Sequence, residues 1–182
     1  MKKEIIGDKS KFAMEYSFLE DNVTELAMFV EGKNILEFFK DGLLRTTCWN
    51  LDELAEWLRN LIDNLQEDPY PVDIDGEFAV DKDNNAWDYD SDDEEELDEY
   101  YEKLHDWCDI HRWHIASSGA ILANAYFQLI GDKVEISWDN EDLEDNTVFT
   151  YLKGGTFVDK DLFFNVVDKF LNDYANHWFN AE

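Results

Sequence analysis

Large apolar residues at Phe12, Met14, Tyr16 and Phe18 alternate with Lys11, Ala13, Glu15 and Ser17. A period of two is the pattern of a half-buried strand. Turn-forming residues follow at Asp21-Asn22. Apolar runs at Leu26 to Val30, Ile35 to Phe39 and Leu43 to Thr47 are separated by Glu31-Gly32-Lys33-Asn34 and Asp41-Gly42. Residues 11–49 therefore predict an antiparallel meander. A helical period then takes over. Leu51, Leu54, Leu58, Leu61, Ile62 and Leu65 share one face, Asn50 is placed to cap it, and Glu53 three residues on completes a capping-box pattern. Pro69 and Pro71 end that helix.

Residues from about 69 to 91 hold no strong period and predict a long acidic loop, with room for a short strand at Glu77 to Val80. A second helix is expected from Ser91, with Glu94 three residues later and an acidic first turn that suits the positive end of the helix dipole. Its apolar face is Leu97, Tyr101, Leu104, Cys108 and Ile115, and Ser117-Ser118-Gly119 closes it. A hairpin comes next, because Ile121 to Ile130 and Lys133 to Asp139 flank the two-residue turn Gly131-Asp132. That turn pairs Leu129 with Val134, Phe127 with Ile136 and Ala125 with Trp138 on one face. Gln128 with Glu135 and Tyr126 with Ser137 fall on the other, as in a sheet with one buried and one polar side. Thr147 to Leu152 reads as a last strand before Gly154-Gly155. A final helix starts near Asp159, with Leu162, Val166, Phe170 and Tyr174 beside Phe163, Val167, Leu171 and Trp178. The chain shows no internal repeat. The expected fold is one acidic α+β domain over residues 1–182: an antiparallel sheet, made of the N-terminal meander plus a C-terminal hairpin, with about three helices packed mainly on one face.

Composition supports a real core. Of 182 residues 45% are apolar and 15% aromatic, including seven Trp and thirteen Phe, far more than a disordered acidic chain carries. No apolar run approaches the roughly 18 residues of a membrane span. Lys2 and Lys3 have no hydrophobic segment behind them, so no secretory signal is expected. Cys48 and Cys108 are then expected as free thiols in a reducing cytosol, and the location as cytoplasmic.

Charge changes the picture more. Forty-four acids against fifteen Lys and Arg give a formal charge of −29. Phosphate backbones require Lys and Arg, and anionic membranes repel such a chain, so neither direct nucleic acid nor membrane is an expected partner. The imbalance is concentrated. From Asp63 to Asp109 twenty acids face only Lys82 and Lys103, a net of −18 in 47 residues. The bland reading of the dense run Asp88 to Glu99 is a solvated loop leading into a helix.

Chemical constellations are few. Cys108, His111 and His114 are spaced by three, which spreads them over about 120° of a helix rather than onto one ion. Zinc sites usually draw on two elements with paired-Cys or HExxH spacing, which the chain lacks. Asp81, Asp83 and Asn85 match the first three positions of a calcium loop, but Ala86 stands where glycine belongs and Asp92 where glutamate belongs. His105 and Asp109 are four apart and read as a solvated surface pair. The Ser117-Ser118-Gly119 segment lacks a nucleophile frame, and Gly154-Gly155 lacks the residues of a phosphate loop.

The sequence thus points away from an enzyme and from a cofactor. It points toward an acidic, protein-binding inhibitor of a basic, nucleic-acid-processing partner such as a nuclease, of toxin-immunity or phage anti-defence type, by nucleic-acid mimicry. The expected contact residues are Asp88, Asp90, Asp92, Asp93, Glu94, Glu95 and Glu96, with Trp87 and Tyr89 as anchors. The competing reading is a metal-dependent protein that uses His105, Cys108, His111 and His114. Trp113 and Trp178 are the aromatics expected to be available for a dimer.

Overall fold

The computed structural model describes residues 3–113, 120–141 and 146–179. Among them it is α+β. The chain runs β1 (Glu4–Asp8), β2 (Phe12–Phe18), β3 (Val23–Val30), β4 (Lys33–Asn34), β5 (Glu37–Lys40), β6 (Leu43–Asn50), α1 (Leu51–Asn64), α2 (Ala79–Ala86), α3 (Glu94–His111), β7 (Ala125–Ile130), β8 (Lys133–Asp139), β9 (Thr147–Phe149), β10 (Lys153–Asp159) and α4 (Lys160–Phe179).

Two antiparallel sheets result. The larger has the order β1-β2-β3-β6-β5-β9, with β4 beside β3, and the smaller has the order β10-β8-β7. The N-terminal antiparallel strands are observed, but not as the expected simple meander, because β6 pairs with β3 and lies between it and β5. The turns do what their residues allow. Asp21 and Asn22 both take φ 58°, and Asp41 and Gly42 take 52° and 74°. Consecutive positive φ values match the twist of the flanking strands, and Asn, Asp and Gly tolerate them best. The C-terminal hairpin adopts the anticipated register, with Leu129 opposite Val134, Phe127 opposite Ile136 and Ala125 opposite Trp138.

One core joins the inner side of the large sheet, α1, α4 and one face of the small sheet. Helix α1 starts as expected, since the Asn50 side chain accepts from the amides of Asp52 and Glu53. The Glu53 carboxylate takes the Trp49 indole N–H at 3.0 Å. Helix α4 is capped by Asp159, which accepts from Asp161 and Leu162. Its buried face is Phe163, Val166, Val167 and Phe170.

Several expectations are corrected. There are four helices among the described residues rather than about three, because Ala79–Ala86 is helical within the stretch read as a loop. Helix α3 begins at Glu94 under an Asp93 cap, not at Ser91, and ends at His111. Ile115 and the Ser117-Ser118-Gly119 stop fall outside the described residues, as does the Trp178 side chain. Trp113 is fully buried, its ring stacked on Trp57 at 4.8 Å, and offers nothing to a dimer. Strand β1 was missed; it adds an edge to β2 through five register pairs.

The small sheet is also not one-sided. Tyr126, Gln128, Glu135 and Ser137, its polar face, are all buried. Helices α2 and α3 cover them with a second cluster containing Tyr70, Val80, Leu104, Trp107 and Tyr126. Polar side chains tolerate this because each finds a hydrogen-bond partner there.

Gly154 and Gly155 do not end a strand; they lie inside β10. A Cβ on Gly154 would sit 2.5 Å from Cζ2 of Trp138, and one on Gly155 would sit 2.6 Å from the Phe78 ring. The glycines make room for an aromatic ring on each side of the strand. Trp138 is 1% exposed and its indole N–H is held by the Tyr151 carbonyl at 3.1 Å, whereas Phe78 is half-buried. Gly154→Ala is therefore expected to cost about 1–3 kcal/mol through overpacking, and Gly155→Ala clearly less. Denaturant midpoints of the two variants check the order, and equal losses would show that Trp138 is not held as described.

Candidate functional site

The acidic run lies where α2 hands over to α3. Trp87 is the C-terminal cap that follows α2 and Asp93 caps α3, its carboxylate accepting from the amides of Glu95 and Glu96 at 3.0 and 3.3 Å. Glu94, Glu95 and Glu96 then occupy the first turn of α3, where the helix dipole favours negative charge.

The connecting segment is braced. Tyr101 donates its hydroxyl to the carbonyls of Trp87 and Tyr89, at 3.1 and 2.9 Å. Tyr100 donates to the Ala86 carbonyl at 3.1 Å. The Tyr89 ring stacks on Tyr100 at 4.0 Å, and Trp87 stacks on Tyr101 at 5.5 Å with His105 beyond it at 5.2 Å. Tyr89 and Ser91 hydroxyls both donate to Glu96, at 2.8 and 2.9 Å.

These contacts divide the predicted residues into two groups. Trp87 and Tyr89 are half-buried against α3 and serve as internal braces; Asp93 and Glu96 hold local backbone and hydroxyls. Asp88, Asp90, Asp92, Glu94 and Glu95 are exposed, and their side chains make no hydrogen bond or ion pair with any described residue. These five fall within eight consecutive residues and form the exposed anionic edge of the α2–α3 junction.

Position along that edge depends on α2. Phe78 precedes the helix and has no side-chain acceptor to cap it. The missing acceptors come from β8, 56 and 57 residues away. Glu135 accepts the Ala79 amide at 2.6 Å and the Ser137 hydroxyl at 2.9 Å, and the Ser137 oxygen accepts the Val80 amide at 3.3 Å. Burial raises the Glu135 carboxyl above the ordinary glutamate range, opposed by those two hydrogen bonds. Further along α2, buried Asp83 accepts from the Tyr126 and Tyr70 hydroxyls, at 2.5 and 3.1 Å, and from the Cys108 thiol at 3.3 Å. Burial, then Asp83, pushes the Tyr126, Tyr70 and Cys108 groups up and keeps them protonated donors. Lys153 of β10 closes the outside by bridging Asp81 and Asp139 at 2.8 and 3.0 Å.

Sequence reasoning missed Glu135, Ser137 and Asp83. One signal was present: the hairpin register placed Glu135 and Ser137 together on the face opposite the core, a pair of acceptors awaiting donors.

The metal alternative gains no support from the geometry. His105 is exposed against Trp87, Cys108 points to Asp83, and His111 donates from Nδ1 to the Phe127 carbonyl at 2.7 Å. His114 lies outside the described residues. Among the described residues no three His, Cys, Asp or Glu side chains are grouped to hold a metal. The calcium-loop pattern is part of α2, where Asp81 pairs with Lys153, Asp83 is buried and Asn85 donates to the Asp75 carbonyl. A cleft of about 310 Å³ between the α1–α2 connection and β7, lined by Glu67, Asp68, Tyr70, Lys82 and Gln128, pairs no nucleophile with a base. No family model, no curated protein and no solved structure matches the chain.

Two measurements follow. Glu135→Ala orphans the Ala79 amide and is expected to cost about 1–3 kcal/mol. Glu135→Gln keeps an acceptor oxygen and costs less, as paired denaturation curves will show. His111 is buried, with Nε2 lacking a partner and the Asp68 carboxylate 3.9 Å away. Burial, the leading cause, lowers its pKa below 6.5. Its contribution to stability is therefore complete above about pH 6.5 and declines as pH falls toward the native pKa, because only the unfolded imidazole takes up a proton there. His111→Asn, which retains a donor for Phe127, should remove that part of the pH dependence. An unchanged slope in stability between about pH 7.5 and 5.5 would refute it.

Proposed function

We propose that this protein is a non-catalytic inhibitor that binds a basic, nucleic-acid-processing protein through the anionic edge between α2 and α3. The observation that carries the reading is the set Asp88, Asp90, Asp92, Glu94 and Glu95, exposed and unneutralised on a segment fixed by four aromatic side chains. A carboxylate row on a held backbone offers a phosphate-binding surface the charges it is built to receive, which is nucleic-acid mimicry in its simplest form. Such charges raise the rate of encounter at low salt and occlude the partner's nucleic-acid site. Toxin immunity and phage anti-defence both need this physics. Action in the cytoplasm agrees with Cys48 and Cys108, which are free thiols, one exposed and one buried. No helix among the described residues is long and apolar enough to cross a membrane.

The test neutralises Asp88, Asp90, Asp92, Glu94 and Glu95 to Asn and Gln while leaving Asp93 and Glu96, which hold the segment in place. Immobilised native protein is expected to retain a basic nuclease-like partner from a bacterial lysate at about 0.1 M salt and to release much of it at about 0.5 M. The neutralised protein is expected to fold as before, to lose most of that affinity and to show a flatter salt dependence. Affinity unchanged by the substitutions would overturn the proposal.

A further inference from the structure

The large sheet has a second face, turned away from α1 and α4. Register fixes what lies on it. Phe39 stands directly between Leu44 of β6 and Val148 of β9, so the three side chains form one row across three strands. They are 43, 54 and 54% exposed, and Ile5, on the same face at the opposite edge, is 51% exposed. The contiguous row of three, separated from Ile5 by β2 and β3, calls for a covering surface.

Electrostatics narrow what that cover is. On a chain of net charge −29 this face is close to balanced, with Lys3 and Lys9 against Glu15, Glu25 and Glu37. Lys3 bridges Glu25 at 2.6 Å and Glu15 at 3.6 Å, Lys9 bridges Glu15 at 2.5 Å and lies over the Phe29 ring, and Glu37 accepts the Thr150 hydroxyl at 3.0 Å. Small residues, Ala13, Ser17 and Ala27, fill the positions between and keep the face low. At its margin β9 pairs only with β5 and is an edge strand.

We propose that this face is the contact between two copies of the chain, packed sheet on sheet about a two-fold axis. A basic partner gains little from a surface whose glutamates are mostly bridged by Lys3 and Lys9. A second copy gains more: approach through the acidic α2–α3 edge sets carboxylate against carboxylate, whereas here each copy meets a nearly balanced, apolar surface like its own. An isologous contact of this kind needs only self-complementarity, and stacked sheets about 10 Å apart bring facing side chains together. Cys48, exposed on the same face beside Glu25, becomes shielded in the pair.

The dependence on salt is diagnostic. Salt screens the repulsion between two acidic copies and leaves apolar burial intact, so the dimer strengthens as ionic strength rises, the reverse of binding to a basic partner. Sedimentation velocity of the full chain at about 0.05 and 0.5 M NaCl is the experiment. The expected result is a monomer at low salt and a growing dimer at high salt, with maleimide labelling of Cys48 slowed in parallel. Phe39→Thr combined with Leu44→Thr, chosen because threonine suits strands, should weaken the dimer about tenfold or more, and Ile130→Thr on β7 should not. A monomer at every salt and concentration, a dimer that weakens with salt, or one indifferent to the double substitution would overturn the inference.

Discussion

The Glu135 carboxylate at the start of α2 is the contact on which the acidic half of the molecule depends. An eight-residue helix is too short to persist alone, and α2 opens at Phe78, which supplies no cap. A buried charge normally costs more than its contacts return. Here the charge receives the Ala79 amide and the Ser137 hydroxyl at the positive end of a helix, a place where a carboxylate is wanted. Once α2 is seated, Asp83 is delivered to Tyr70, Tyr126 and Cys108, and those three donors tie the α1–α2 connection, β7 and α3 to α2.

From that seat the rest follows in sequence. The Ala86 carbonyl at the end of α2 receives Tyr100, the Trp87 and Tyr89 carbonyls receive Tyr101, and the chain is delivered to Asp93 in position to start α3. The polar face of the small sheet is thus not a surface at all but the floor under the acidic segment. Its hydrogen-bonding groups were selected for partners that arrive from a different part of the chain.

This explains what was legible in the sequence and what was not. The meander turns, the α1 cap and stripe, the hairpin register and the α4 stripe are set by residues within a few positions of one another, so period and turn chemistry reveal them. Helix α2 has no such local signal. Its short apolar set, Ala79, Val80 and Ala86, is smaller than a two-turn stripe usually needs, and its cap lies 56 residues away. Likewise Gly154-Gly155 resembles a chain break until Trp138 and Phe78 are seen against it. The cap of α3 was displaced from Ser91 to Asp93 because both offer an oxygen at a plausible distance, and the Ser91 hydroxyl is instead taken up by Glu96 and the Asp93 amide. For the candidate site the sequence located the charge, and Trp87 and Tyr89, expected as partner anchors, are half-buried with their rings stacked on tyrosines of α3.

That stacking has a physical consequence. A free loop bearing this density of carboxylates repels itself, extends and becomes disordered. A partner binding such a loop would have to order it, at a cost of roughly 0.5–1.5 kcal/mol for each immobilised side chain. Stacking Tyr89 on Tyr100 and Trp87 on Tyr101 transfers that ordering to the folding of the protein, where the α2–α3 cluster stabilises it. The aromatics serve the acidic edge more by holding it still than by touching what binds there.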